Sequence, residues 1–264
     1  MDVRINTKSS TSCVFACSGP SLNKVDPFSL GLPVAVISTA IRKIPNPDYW
    51  VYSDYINEMH GLEGKAAFEN PIISKITQKG KERGYGAMVG KNITSYESEL
   101  TNRNYDKSNV FQSGKIFSKG PHKSISFGIQ WAHSVGFKNI IFCGNDLQAN
   151  SLEEKYCYPV QSFDIKKKHN FKRTLDEVRD YMIEWYPIAK EKGYRWFSWE
   201  CGSIFDDMVE KLTPEIISEL TILNNINVHI NTDSGNHISV QEPTNSDSNT
   251  IMEYHELMKM IKKF

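Results

Sequence analysis

Net charge is the first thing this chain lacks: 31 basic and 31 acidic residues leave a formal charge of zero at pH 7. That removes the broad cationic field of a general nucleic-acid binder and leaves only local patches to consider. Paired cysteine spacing is also missing. Cys13, Cys17, Cys143, Cys157 and Cys201 are scattered and odd in number, without the spacing of a zinc site, so no metal site is expected and the thiols should be reduced and mostly buried. No stretch approaches the roughly 20 apolar residues of a membrane span. The apolar run after the polar Met1 to Thr11 is too short for a signal-peptide core, which makes the cytosol the expected address. No internal repeat is present. What remains is a 264-residue chain of mixed composition, enough for one α/β domain with or without an added lid.

The stretch that organises the rest is Val14-Phe15-Ala16-Cys17-Ser18-Gly19-Pro20-Ser21-Leu22. Its apolar start has the length of a buried strand, and Ser-Gly-Pro-Ser forces the backbone out of it. Gly19 allows a close backbone approach or a positive φ, Pro20 suits a first helical turn, and Ser21 can cap a helix or bond a phosphate. Exposed amides at such a turn favour an anion; an ordinary strand-to-helix turn is the plainer alternative. Leu32 to Ile37 and Tyr49 to Asp54 read as further strands, ending in Ser38-Thr39 and Ser53-Asp54. In an open parallel sheet such carboxyl ends line the ligand crevice, although the same residues also serve as caps and turn formers.

From Glu58 to about Ser113 the pattern weakens and predicts irregular structure with short elements. It returns at Ser124 to Val135, a helix by the spacing of Ile125, Ile129, Ala132 and Val135, stopped by Gly136. Ile140 to Cys143 follows as a strand ending in Gly144-Asn145-Asp146-Leu147, where Asp146 is suited to a ribose hydroxyl, a metal or a helix end. Residues 148 to 173, with Tyr156, Tyr158, His169 and the basic run Lys166 to Arg173, read as a lid. A helix from about Thr174 to Lys192 carries Leu175, Val178, Met182 and Trp185 on one face. A strand, Tyr194 to Trp199, then ends in Cys201-Gly202-Ser203. Phe205 to Val209 and Pro214 to Leu220 read as short helices and Ile226 to Ile230 as an edge strand. Residues 231 to 250 read as a linker and 251 to 264 as an amphipathic helix for packing on the domain or on a second subunit, with membrane-surface attachment as the lesser alternative.

Small polar strand ends beneath a lid with hydroxyls, an imidazole and cations suit transfer from a nucleotide donor. A leaving phosphate gains negative charge as its bond breaks, and fixed donors such as Tyr156 and Tyr158 lower that barrier. The acceptor hydroxyl must lose a proton, and His169 has the pKa range of a base near neutrality. A solvated surface histidine is the plainer alternative.

The Ser-Gly-Pro-Ser-Leu turn, together with Ser124 to Leu147 (helix, Gly-Phe-Lys-Asn-Ile, strand, Gly-Asn-Asp-Leu), resembles the bacterial sialyltransferases of the Campylobacter type. It is also similar to the motility-accessory-factor and 6-hydroxymethylpterin pyrophosphokinase-like proteins. The resemblance spans roughly Cys13 to Val209. It implies a Rossmann-like, mostly parallel sheet over residues 1 to 230 with the lid above the carboxyl ends. It also implies a donor site drawn from Cys17, Ser18, Gly19, Pro20, Ser21, Ser38, Thr39, Ser53, Asp54, Ser124, Gly144, Asn145, Asp146, Gly202 and Ser203. By the same resemblance Tyr156 and Tyr158 stabilise a departing CMP phosphate and His169 is the base. The family has asparagines where Ser38 or Thr39 and Ser53 stand, so the nucleotide base is left open between CMP and UDP types.

The expected activity is a nucleotide-sugar-dependent glycosyltransferase, with no obligatory cofactor and a hydroxyl acceptor on a glycan or nucleic acid. A pyrophosphokinase, needing Mg²⁺ held at Asp54 and Asp146, is the second reading. A non-catalytic module binding nucleotides or a polyanion through Lys166 to Arg173 is the third.

Overall fold

Strand β1 (Ser12–Ala16) is buried at every residue, and its side chains divide between two cores by strand alternation. Cys13 and Phe15 face one core, Val14 and Ala16 the other. The computed structural model that reveals this describes residues 10–84, 88–96, 110–111, 124–160, 164 and 171–227. Around β1 lie β2 (Val34–Ile37), β3 (Tyr49–Tyr52), β4 (Ser74–Gln78), β7 (Ile93–Tyr96), β8 (Asn139–Cys143), β9 (Arg195–Ser198) and β10 (Glu210–Lys211). They form one eight-stranded sheet in the order β10-β9-β8-β1-β2-β3-β4-β7. Every pairing in it is parallel. The fold is therefore the expected α/β, Rossmann-like class. A separate ribbon pairs β5 (Arg83–Gly84) with β6 (Met88–Val89).

Helices cover both faces, as a sheet of buried apolar strands requires. Against the Phe15 face pack α2 (Ser124–Ser134) and α3 (Phe171–Glu191), through Phe127 and Trp185 among others. Against the Val14 face pack α1 (Gly61–Glu69) and α5 (Pro214–Asn227), through Phe68 and Leu220. A four-residue helix α4 (Ser203–Asp206) follows β9. At the end of α2, His133 is fixed on both ring nitrogens: Trp196 Nε1 donates to Nε2 at 3.0 Å, and Nδ1 donates to the Phe137 carbonyl at 2.8 Å. With Nε2 taken as the acceptor of an N–H, the ring is neutral. Burial holds its pKa down, to about 4, against the opposing pull of the Phe137 carbonyl.

Two expectations are corrected. The 58 to 113 stretch, expected to be irregular structure with short elements, supplies α1 and two strands of the main sheet. Its strands escape an apolar-run search because β4 is Ser-Lys-Ile-Thr-Gln and β7 is a half-exposed edge. Fully buried Lys75 is tolerated because its ammonium donates to the carbonyls of Asn70, Ile73 and Lys91 at 2.6, 3.0 and 2.7 Å. Second, Ile226 and Asn227 close α5 rather than open an edge strand. Residues 228 to 230, the expected linker and the final amphipathic segment lie outside the described residues. Among the described residues no helix is long and apolar enough to cross a membrane.

Candidate functional site

Strand order reverses between β1 and β8: from β1 the chain moves outward through β2, β3, β4 and β7, then returns to the other side of β1. In open parallel sheets the crevice at this switch point is where ligands bind, because the two connections leave in opposite directions and part. A cleft of about 640 Å³ opens there.

The corner after β1 is stitched to the corner after β8. Beyond the Ala16–Cys143 register, Cys17 N donates to Cys143 O at 2.8 Å and Gly19 N to Gly144 O at 2.7 Å. Gly19 is extended (φ −71°, ψ 159°), so its glycine is required by close approach and not by a left-handed backbone. A Cβ there would strike Asp146 Oδ2 and lie 2.5 Å from Gly144 O. Gly144 needs both properties: its φ is +68° and a Cβ would strike the Cys17 carbonyl.

Pro20 opens the short helical turn Pro20–Lys24, and Ser21 in it donates both its amide (3.1 Å) and its hydroxyl (2.9 Å) to Asp146 Oδ2. Of the roles open to Asp146, the cap is the one these bonds express. Burial raises its pKa, and the two bonds from Ser21 oppose the rise. Gly202, left-handed at φ +87°, brings the corner after β9 to the same carboxylate, with a Cβ position 3.3 Å from Asp146 Oδ1. Ser203 opens α4.

Most residues singled out from the sequence share this one cleft. Cys17, Ser18, Gly19, Ser38, Thr39, Asp54, Ser124, Gly144, Asn145, Asp146 and Tyr156 border it. Ser53 supports it from behind: its amide donates to Ser124 Oγ at 3.0 Å and the two hydroxyls are 3.0 Å apart, tying the end of β3 to the start of α2. Among the described residues Pro20, Ser21 and Gly202 do not border the cleft. Asn145 borders the cleft and is buried, and its amide nitrogen has no hydrogen-bond partner among the described residues. The cysteines are free and buried, and burial raises the Cys17 thiol well above its usual range, which favours its protonated form.

The two tyrosines part company. They stack with ring centroids 4.9 Å apart and planes at 13°, but only Tyr156 borders the cleft. Tyr158 is buried behind it, with the Arg42 guanidinium 3.9 Å over its ring. Burial pushes Tyr156 up to about 12, helped by Asp164 and opposed by Arg42. Burial also raises Tyr158, against the pull of Thr39 and Arg42. Both phenols are therefore donors at neutral pH.

Arg42 pairs with Asp164 at 3.1 Å, both side chains buried, and donates to the Pro159 carbonyl at 3.1 Å. Cys157 N donates to Ser18 O at 2.8 Å, and Asn23 Nδ2 to Cys157 O at 3.1 Å. Of the expected lid, residues 148–160 and Asp164 are thus pinned to the first two corners, and residues 171–173 belong to α3. His169 and the lysine run lie outside the described residues.

Sequence reasoning missed several cleft residues: Met59, Gln148, Lys155 and, at the start of α3, Arg173, Thr174 and Glu177. Lys155 sits 4.9 Å over the Tyr156 ring, and Arg173 pairs with Glu177 at 2.9 Å. The helix was expected from about Thr174, but α3 begins at Phe171, so its first turn was counted with the lid and not as a helix start beside the crevice. No protein-family model, curated protein or solved structure matches this chain.

Proposed function

We propose that the cleft between the ends of β1 and β8 binds a nucleotide-sugar donor and that the protein transfers the sugar to a hydroxyl acceptor. The observation that carries this reading is the place of the cleft, which opens at the reversal of strand order between β1 and β8 and is bordered by the corners after β1, β2 and β8. A crevice of this kind in an open parallel sheet suits a nucleotide, and Gly19 and Gly144 border it without a side chain of their own.

The chemistry then follows from position. The bond between the anomeric carbon and the donor phosphate oxygen breaks, its electron pair stays on phosphate, and the acceptor oxygen forms the new bond. Tyr156 on the cleft wall, kept protonated, donates to the oxygen that gains charge, and Lys155 beside its ring adds a cation. Tyr158 has a supporting place, stacked behind Tyr156 under Arg42. The acceptor proton passes to His169, a role that rests on the family resemblance and on the ordinary pKa of imidazole.

In the pyrophosphokinase reading Asp54 and Asp146 hold Mg²⁺. One oxygen of Asp146 is already occupied by Ser21, which favours glycosyl transfer. The test is calorimetric titration of the full chain with CMP- and UDP-sugars, followed by assay of nucleotide release. Micromolar binding and slow release without acceptor are expected. Binding of no nucleotide sugar overturns the reading, and Mg²⁺-dependent AMP formation from ATP selects the kinase.

A further inference from the structure

Ser38 follows β2 directly, borders the cleft, and has φ +49°. A residue with a Cβ keeps this left-handed conformation only where its surroundings hold it, and such positions concentrate at ligand sites. The hold comes from the neighbouring strand. Trp50, fully buried in β3, donates its indole Nε1–H to the Ser38 carbonyl at 2.9 Å. Trp50 is itself fixed, tilted against Tyr52 at 5.0 Å and edge-on to His60 at 5.5 Å. The helical turn Ser38–Arg42 that begins here has no side-chain cap at its start. The indole bond therefore sets where the chain leaves β2, and with it where Ser38 and Thr39 stand on the cleft wall.

We infer that Trp50 is a positioning residue for the nucleoside half of the donor. Without bordering the cleft, it locks Ser38 left-handed and so places the Ser38 and Thr39 hydroxyls where ribose or base is read. The phosphate half belongs to the other side of β1, at Gly19, Gly144 and Asn145. This inference rests on reading the cleft as a nucleotide site.

The experiment uses CMP, UMP and AMP as probes, with inorganic pyrophosphate as a probe that has no nucleoside. Trp50→Phe keeps an aromatic ring and deletes the donor. It should weaken the tightest nucleotide about tenfold while pyrophosphate affinity changes less than twofold. Ser38→Gly loses the hydroxyl but takes the left-handed corner unaided, so adding Trp50→Phe to Ser38→Gly should change nucleotide affinity less than twofold. That pair decides the matter if Trp50→Phe alone does not fold. A tenfold further loss on adding Trp50→Phe to Ser38→Gly, nucleotide binding by Trp50→Phe as tight as wild type, or an equal loss for pyrophosphate each overturn the inference alone. Wild-type protein that binds none of the three nucleotides overturns the reading of the cleft and this inference with it.

Discussion

Ser21 and Asp146, 125 residues apart, meet across the switch point: one carboxylate oxygen accepts both the amide and the hydroxyl of the serine. The contact joins the two loops between which the cleft opens, so the turn after β1 is held by a side chain from the turn after β8.

Removing that carboxylate should cost stability before it costs chemistry. Asp146→Ala leaves the buried Ser21 amide without its acceptor, a loss of about 1–3 kcal/mol. Asp146→Asn keeps an oxygen for Ser21 and should lose less. Urea denaturation midpoints of the two variants, read with unchanged slopes, check the order.

Glycines separate by what surrounds them. A Cβ at Gly19 would overlap Asp146 and Gly144, whereas at Gly136 (φ +105°) no atom of the described residues lies within 4 Å. Gly136→Ala should therefore cost about 1 kcal/mol from its backbone conformation alone. Gly19→Ala should cost more, at about 1–3 kcal/mol from overpacking, and should also shift the phosphate corner. Thermal unfolding ranks the pair, and nucleotide titration should show a loss for Gly19→Ala only.

Stacked tyrosines should give different kinetic signatures. Tyr156→Phe removes a donor bordering the cleft and should lower kcat about 10²-fold, the usual effect of deleting one such hydrogen bond, with a smaller change in KM. Tyr158→Phe removes a hydroxyl buried behind it and should affect melting more than turnover. A larger kcat loss for Tyr158→Phe than for Tyr156→Phe would reverse the roles given to them here.

His133 makes stability depend on pH in a stated window. Its folded pKa of about 4 lies below the ordinary 6.5, so between these values the unfolded chain binds a proton that the folded protein does not. Stability is then fully present above pH 6.5 and is lost as pH falls toward 4, by up to about 3 kcal/mol. His133→Gln retains one donor and one acceptor but does not titrate. The difference between its denaturation curve and that of the wild type, measured across that window, isolates the effect.

Much of the fold was readable because parallel strands are buried on both faces and appear as short apolar runs, as in Val14 to Ala16 and Ile140 to Cys143. β4 hid from the same reading. Lys75 lies fully buried in it because three carbonyls from Asn70, Ile73 and Lys91 happen to converge on its ammonium, a circumstance set by chain segments up to 16 residues away. The strand-end corners were readable as candidates from their small polar residues. Which of those residues border the cleft was not, because capping and ligand binding use the same chemistry.

By itself, the sequence determined the alternation of buried strands and amphipathic helices, the small-residue corners and the absence of a membrane-length apolar run, since each depends on local periodicity and backbone freedom. Only the tertiary structure decided that β1 and β8 are neighbours at the reversal of strand order, that Gly19 is needed for close approach, that Asp146 caps Ser21, and that Tyr158 stands behind Tyr156. Those are contacts between residues far apart in the chain, where packing, and not propensity, sets which partner each polar group finds.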